Sequence, residues 1–148
     1  MRQIKFRGQT ISGEWVTGNL SILKKDFSTV RKGHYISNSS GAPFTFMVRP
    51  ETVGQFTGLK DKNGTEIYEG DQFAPDTDNE EVKSVVRWDE TFAKFVVDSY
   101  GYNYHIGEGS QEVYDNELSI CDTYDLGDMI LEYCQVIGNT HTQDGGKE

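Results

Sequence analysis

Ile4 and Phe6 alternate with charged neighbours, the period-two pattern of a half-buried strand. Ile11–Gly13 reads as a turn, and Trp15–Leu23 as a strand whose apolar residues Trp15, Ile22 and Leu23 keep no clean period. Phe27–Tyr35 and Phe44–Val48 predict two further strands, separated by the Ser37–Pro43 surface loop. Phe56–Leu59 and Ile67–Phe73 flank the turn Asp61-Lys62-Asn63-Gly64, in which Asp and Asn bond the local backbone and Gly supplies a positive φ. Glu69-Gly70-Asp71 bends the chain again; the triplet could hold a metal, but Gly70 relieving the bend and Asp71 capping backbone donors is the preferred reading. Val82–Trp88 and Phe92–Asp98 predict a hairpin turning at Asp89-Glu90-Thr91. Tyr100–Gly109 reads either as a kinked strand or as an exposed loop, and Asp115–Cys121 as strand or short helix. Met129, Ile130 and Tyr133 fall at helical spacing, whereas Tyr133–Gly138 is strand-like. Neither an internal repeat nor a heptad is present. Recurrent glycines suit an all-β barrel or roll.

Composition sharpens this. The 148 residues are the length of one ordinary domain, long enough for a core without disulfide staples. With 35% hydrophobic and 12% aromatic residues, the expected core is aromatic-rich. No apolar run approaches the roughly 18 residues of a membrane span. A strand-like start without a signal-peptide core points to the cytoplasm. Cys121 and Cys134 match neither a redox pair nor a zinc knuckle and are expected to be reduced. The net charge of −10 hides an asymmetry: Met1–Lys60 carries 9 Lys/Arg against 3 Asp/Glu, or +6, and Asp61–Glu148 carries 5 against 21, or −16. Such charges can face each other or solvate opposite surfaces; alternatively they steer a charged partner or set head-to-tail assembly.

Candidate chemistry is sparse. Asp61-Lys62-Asn63-Gly64 lacks the ligand spacing and flanking helices of a calcium loop. Asp122, Asp125, Asp128 and Glu132 would share one face of a helix and could hold magnesium, but Gly127 and like-charge repulsion favour a solvated edge or loop. His34, His105 and His141 lie far apart, so zinc is not expected; nor is any other metal or cofactor. Gly8, Gly13 and Gly18 lack the spacing and Lys of a phosphate loop, and no nucleophile elbow appears, which argues against catalysis. Tyr100, Tyr102 and Tyr104 would project from one strand face and could stack on bases, yet Ser99–Ser110 contains no Lys or Arg, so a core or protein-contact patch is preferred. The better nucleic-acid candidate is Lys24, Lys25, Arg31 and Lys32 with Phe27 and Tyr35; strand alternation would split the adjacent cations between faces.

The block QFTGLKDKNGTEIYEGDQF, residues 55–73, closely resembles the signature of YopX-type proteins, small proteins encoded by bacteriophages and prophages. Arg2–Gly8 is similar to that family's opening strand, Glu14–Leu20 and Pro50–Gly54 to stretches preceding the signature, and Gln135–Asn139 to its closing strand. The family's common Asn-Pro-Glu-Leu tail is replaced by Thr140-His141-Thr142-Gln143. The block is specific as a family marker and empty as a mechanism marker, because its fixed residues are turn and strand residues. The resemblance implies a mainly β chain with little helix: N-terminal strands over 1–54, a Src-homology-3-like barrel or roll over 55–140, and a flexible tail over 141–148. It further implies a phage or prophage accessory protein. The expected function is a non-catalytic interaction module for a host or phage protein, with homo-oligomers allowed. The alternatives are a nucleic-acid-binding small barrel using the N-terminal basic face and a metal-dependent enzyme using the C-terminal acids.

Overall fold

The structure, a computed structural model, describes residues 3–39, 45–73, 83–106, 112–125 and 135–141, with side chains for 3–39, 45–73, 84–98 and 135–141. The chain divides into two compact units, Met1–Gly58 and Leu59–Glu148. The division falls inside a strand, Gly54–Lys60.

The first unit contains β1 (Phe6–Gln9), β2 (Trp15–Leu23), β3 (Gly33–Ser37), β4 (Thr45–Val48), a single 3-10 turn (Pro50–Thr52) and the start of β5 (Gly54–Lys60). All pairings are antiparallel, in the order β4-β3-β2-β1-β5. β2 changes partner midway: Gly18 is paired with Phe6 of β1, and Asn19 with Ser37 of β3. The corner demands glycine. Gly18 has φ +158°, and a Cβ there would lie 2.1 Å from the Ser37 carbonyl oxygen. The sheet therefore rolls, and β1 comes back toward β4: Thr10 bridges Val48, and the Arg49 N–H donates to the Gln9 carbonyl at 2.8 Å. Ile36 and Val48 are buried inside the roll, close over Gly8.

The second unit contains β6 (Glu66–Tyr68), β7 (Asp71–Phe73), β8 (Lys83–Asp89), β9 (Lys94–Ile106), β10 (Glu112–Asp125) and β11 (Val136–Asn139). β10-β9-β8-β7-β11 form one antiparallel sheet. Its core packs Ile67, Phe73, Val86, Phe95 and Val97 together, with Leu59 and Val136 at the margin. Trp88 meets Phe95 edge-on at 4.9 Å. The β8–β9 turn is held by the Asp89 carboxylate, which accepts the Thr91 and Phe92 N–H groups. Burial opposes the effect, but the Phe92 N–H, the largest influence, together with Arg87, holds the Asp89 pKa below the usual value. Arg87 also donates to the buried Asp98.

The mainly β expectation is borne out, with open antiparallel sheets instead of closed barrels among the described residues. Tyr100–Ile106 and Asp115–Cys121, ambiguous in sequence, are strand. Phe27–Tyr35 is not one strand: β3 begins only at Gly33. Leu126–Cys134 lies outside the described residues.

Candidate binding site

Lys24–Lys32 is the loop between β2 and β3, folded into a miniature hairpin. The Phe27 and Val30 main chains exchange two hydrogen bonds, at 2.8 and 2.7 Å, around Ser28, whose φ is +48°. One layer down, the Asp26 carboxylate accepts the Lys32 N–H at 2.6 Å. This closure explains the delayed start of β3. It also removes the premise that alternation separates the cations. Lys24 and Lys25 stand on one leg and Arg31 and Lys32 on the other, all exposed. Among the described residues none of the four forms an ion pair; the Lys25 ammonium lies 5.4 Å above the Phe27 ring.

At the base of this loop is a groove of about 500 Å³, lined by Leu23 and Ser21 of β2, Tyr35 of β3, Met47 of β4, and Val30 and Arg31 of the loop. The register builds it: Ser21 pairs with Tyr35 and Tyr35 with Met47, a row across three strands on one sheet face. Ile36 and Val48, one position along, turn into the core. The Tyr35 hydroxyl donates to the Arg31 carbonyl at 2.8 Å and ties the loop to the floor. The result is a largely apolar floor with Arg31 among its lining residues and Lys24, Lys25 and Lys32 in the same loop. The sequence reading found the cations, Phe27 and Tyr35, but missed Met47, Val30 and Leu23, which only the cross-strand register brings together.

Charge segregates with the structural division. Met1–Gly58 has 8 Lys/Arg and 3 Asp/Glu, net +5; Leu59–Glu148 has 6 and 21, net −15. At physiological salt, charges more than about 8 Å apart are largely screened. A partner at the groove therefore meets the local cations before it meets the overall net charge.

The other candidates fall elsewhere. Tyr100, Tyr102 and Tyr104 lie in β9, paired with Ile120, Leu118 and Tyr114. Asp122 and Asp125 lie in β10, paired with Ser99 and Val96, so these two acids are on a strand and not on a helix. Asp128 and Glu132 fall outside the described residues. Among those residues no three His, Cys, Asp or Glu groups gather at one point, and no helix is long and apolar enough to cross a membrane.

The signature block is a clasp. Asp61 Oδ1 accepts the Asn63 and Thr65 N–H groups at 2.9 and 2.8 Å, closing the turn; Oδ2 accepts the Val136 N–H at 3.1 Å. Burial of Asp61 works against its charge, but the three N–H groups outweigh it and hold the pKa below 3.8. Gly64 and Gly70 both take φ +83°. The Gly70 N–H donates to the Val86 carbonyl and its carbonyl accepts the Thr140 N–H, while Asp71 Oδ2 accepts the Tyr68 N–H at 2.7 Å. Asn139 pairs with Asp71 and Val136 with Phe73. Residues 61–73 thus hold the strand formed by 136–139.

The chain is thus a mainly β protein built of antiparallel sheets, in which the signature residues bind the chain's own backbone and, among the described residues, an apolar groove lies beside a cationic loop. The family model for YopX protein matches residues 5–144, nearly the whole chain, and the chain belongs to that family. No curated protein matches it.

Proposed function

We propose that this chain is a phage- or prophage-encoded accessory protein that works by binding another protein in the bacterial cytoplasm, without catalysis of its own. The observation that carries the reading is the groove over Leu23, Tyr35 and Met47, an apolar floor rimmed by Arg31 and the loop lysines. Apolar area supplies affinity and the cations select an acidic partner. The signature residues support it from the other side: Asp61, Gly70 and Asp71 are engaged in holding strands.

The test is capture from host lysate by the tagged chain, with and without nuclease, beside a Val30→Glu variant. Val30 is exposed, so the fold should tolerate the change. Bands that survive nuclease and vanish with Val30→Glu are expected. Bands that vanish with nuclease would favour the second reading, nucleic-acid binding, which the gathering of Lys24, Lys25, Arg31 and Lys32 in one loop supports. Bands indifferent to Val30→Glu would place any binding elsewhere.

A further inference from the structure

Each unit carries one exposed apolar feature, and the two have opposite forms. The first unit has the groove lined by Leu23, Val30, Arg31, Tyr35 and Met47. The second unit has a knob. Asp89 Oδ1 accepts the Thr91 and Phe92 N–H groups at 2.9 and 3.1 Å, and Ala93 takes φ +51°, so the β8–β9 turn is held in one shape. Phe92 stands on that turn 70% exposed, more than any other large hydrophobic residue among those described. Trp88, on the same hairpin, is instead packed edge-on against Phe95. Asp89 and Glu90 precede the Phe92 ring, and the Lys94 ammonium lies 5.5 Å from its centroid. A lone exposed ring needs no explanation. A ring on a fixed turn, in a chain that also holds a groove of matching chemistry, suggests a pair. The groove offers three kinds of contact that favour an aromatic ring: the Met47 thioether, the Tyr35 ring and the Arg31 guanidinium. The charges match as well. The groove lies in the unit of net +5, beside Lys24, Lys25 and Lys32, and the knob lies in the unit of net −15.

We infer that the groove of one molecule receives the Phe92 knob of a second copy of the chain. The inference rests on the groove reading above and names one occupant of that site. Knob and groove are different surfaces, so the contact is head to tail and each molecule both gives and receives. It closes into a ring of two or more molecules, or runs on as an open string. A single ring in a groove is a small contact, which places the association in the weak, concentration-dependent class. A groove filled by Phe92 is closed to any other protein, so self-association and partner capture compete.

Sedimentation equilibrium of the full chain should show association that grows with concentration. It should weaken about tenfold or more between 0.01 and 1 M salt, as the Debye length falls from about 30 to 3 Å. Val30→Glu spoils the groove and Phe92→Ser removes the knob, and both positions are exposed. Each variant alone should stay monomeric where the wild type associates. An equimolar mixture should form a 1:1 dimer that grows no further, because one variant keeps its knob and the other its groove. Should Val30→Glu shift the urea midpoint, Arg31→Glu takes its place in the mixture. A wild type that is monomeric at every concentration and salt overturns the inference. So does a mixture that stays monomeric, or wild-type association that Phe92→Ser leaves intact. Lysate capture separates this failure from that of the groove reading. If the mixture stays monomeric while Phe92→Ser still captures a protein that Val30→Glu loses, the groove reading stands and the second copy is not its occupant. If the mixture stays monomeric and Val30→Glu captures as the wild type does, both are wrong.

Discussion

The two units use their residues differently. The second buries Ile67, Phe73, Val86, Phe95 and Val97 against one another and locks its last strand with Asp61. The first buries Ile36, Val48 and Phe56, depends on close backbone approach at Gly8 and Gly18, and exposes Ile11, Ile22, Phe27, Val30 and Met47. It also holds the chain's surplus of cations. The block that marks the family therefore sits where the second unit is held together, and the proposed partner surface lies in the first unit. A family-marking block made of turn and clasp residues reports on how the chain is held together.

The contrast can be broken most forcefully at Phe73, which is 1% exposed. Phe73→Ala should cost about 3–5 kcal/mol in a urea titration. A loss below about 1 kcal/mol would show that this cluster is not a principal source of stability. In the first unit the largest effect should come from Gly18→Ala, because its Cβ would collide with main-chain oxygen. About 3 kcal/mol is expected, the upper end for overpacking. If it matches Phe73→Ala, the first unit is as tightly constrained as the second and the contrast narrows.

Asp61→Asn sharpens the account of the clasp. The amide turns a donor toward one of the N–H groups that the carboxylate accepted, a loss of about 2 kcal/mol at neutral pH. The folded state lowers the Asp61 pKa from 3.8, so its contribution is present above pH 3.8 and disappears as the pH falls through the lower folded value. The gap between wild type and Asp61→Asn in denaturant midpoint should therefore be full at pH 7 and shrink below pH 3.8. A gap independent of pH would mean that the charge is not what Asp61 supplies. Gly64→Ala should cost only about 1 kcal/mol, since the left-handed backbone is strained by a side chain while nothing lies within 4 Å of the added Cβ.

Lys24→Glu with Arg31→Glu should leave stability within about 0.5 kcal/mol and yet abolish partner capture. Duplex DNA should bind the wild type more weakly than about 10⁻⁴ M at physiological salt. Micromolar oligonucleotide binding lost in this double variant would transfer the groove to the nucleic-acid reading.

What the sequence disclosed was local. Trp15–Leu23 is a strand over its whole predicted length, and the β8–β9 hairpin turns close to where Asp89-Glu90-Thr91 indicated. Turns are written in a few adjacent residues, and Asp61, Asn63 and Gly64 state theirs in four. Distant partnerships had no such signal. Nothing near Asp61 points to Val136, 75 positions away, and nothing in the uneven apolar spacing of β2 announces that Gly18 changes its partner. The loop at 24–32 misled for a related reason. Phe27, Val30 and Tyr35 favour strands, but Asp26 and the Phe27–Val30 pair close the chain on itself first. The groove was invisible because its floor comes from three strands in register.

The clasp between Asp61 and Val136 also imposes an order on the birth of the molecule. During synthesis at the usual 5–20 residues per second, β7 and the signature turn wait about 4–15 s for their last strand. Until then the edge of β7 that will receive Val136 and Asn139 lies open, with the hazard an open edge carries. The fold of β7 therefore waits on β11, and ribosomes stalled before Val136 should release chains that chaperones or proteases retain.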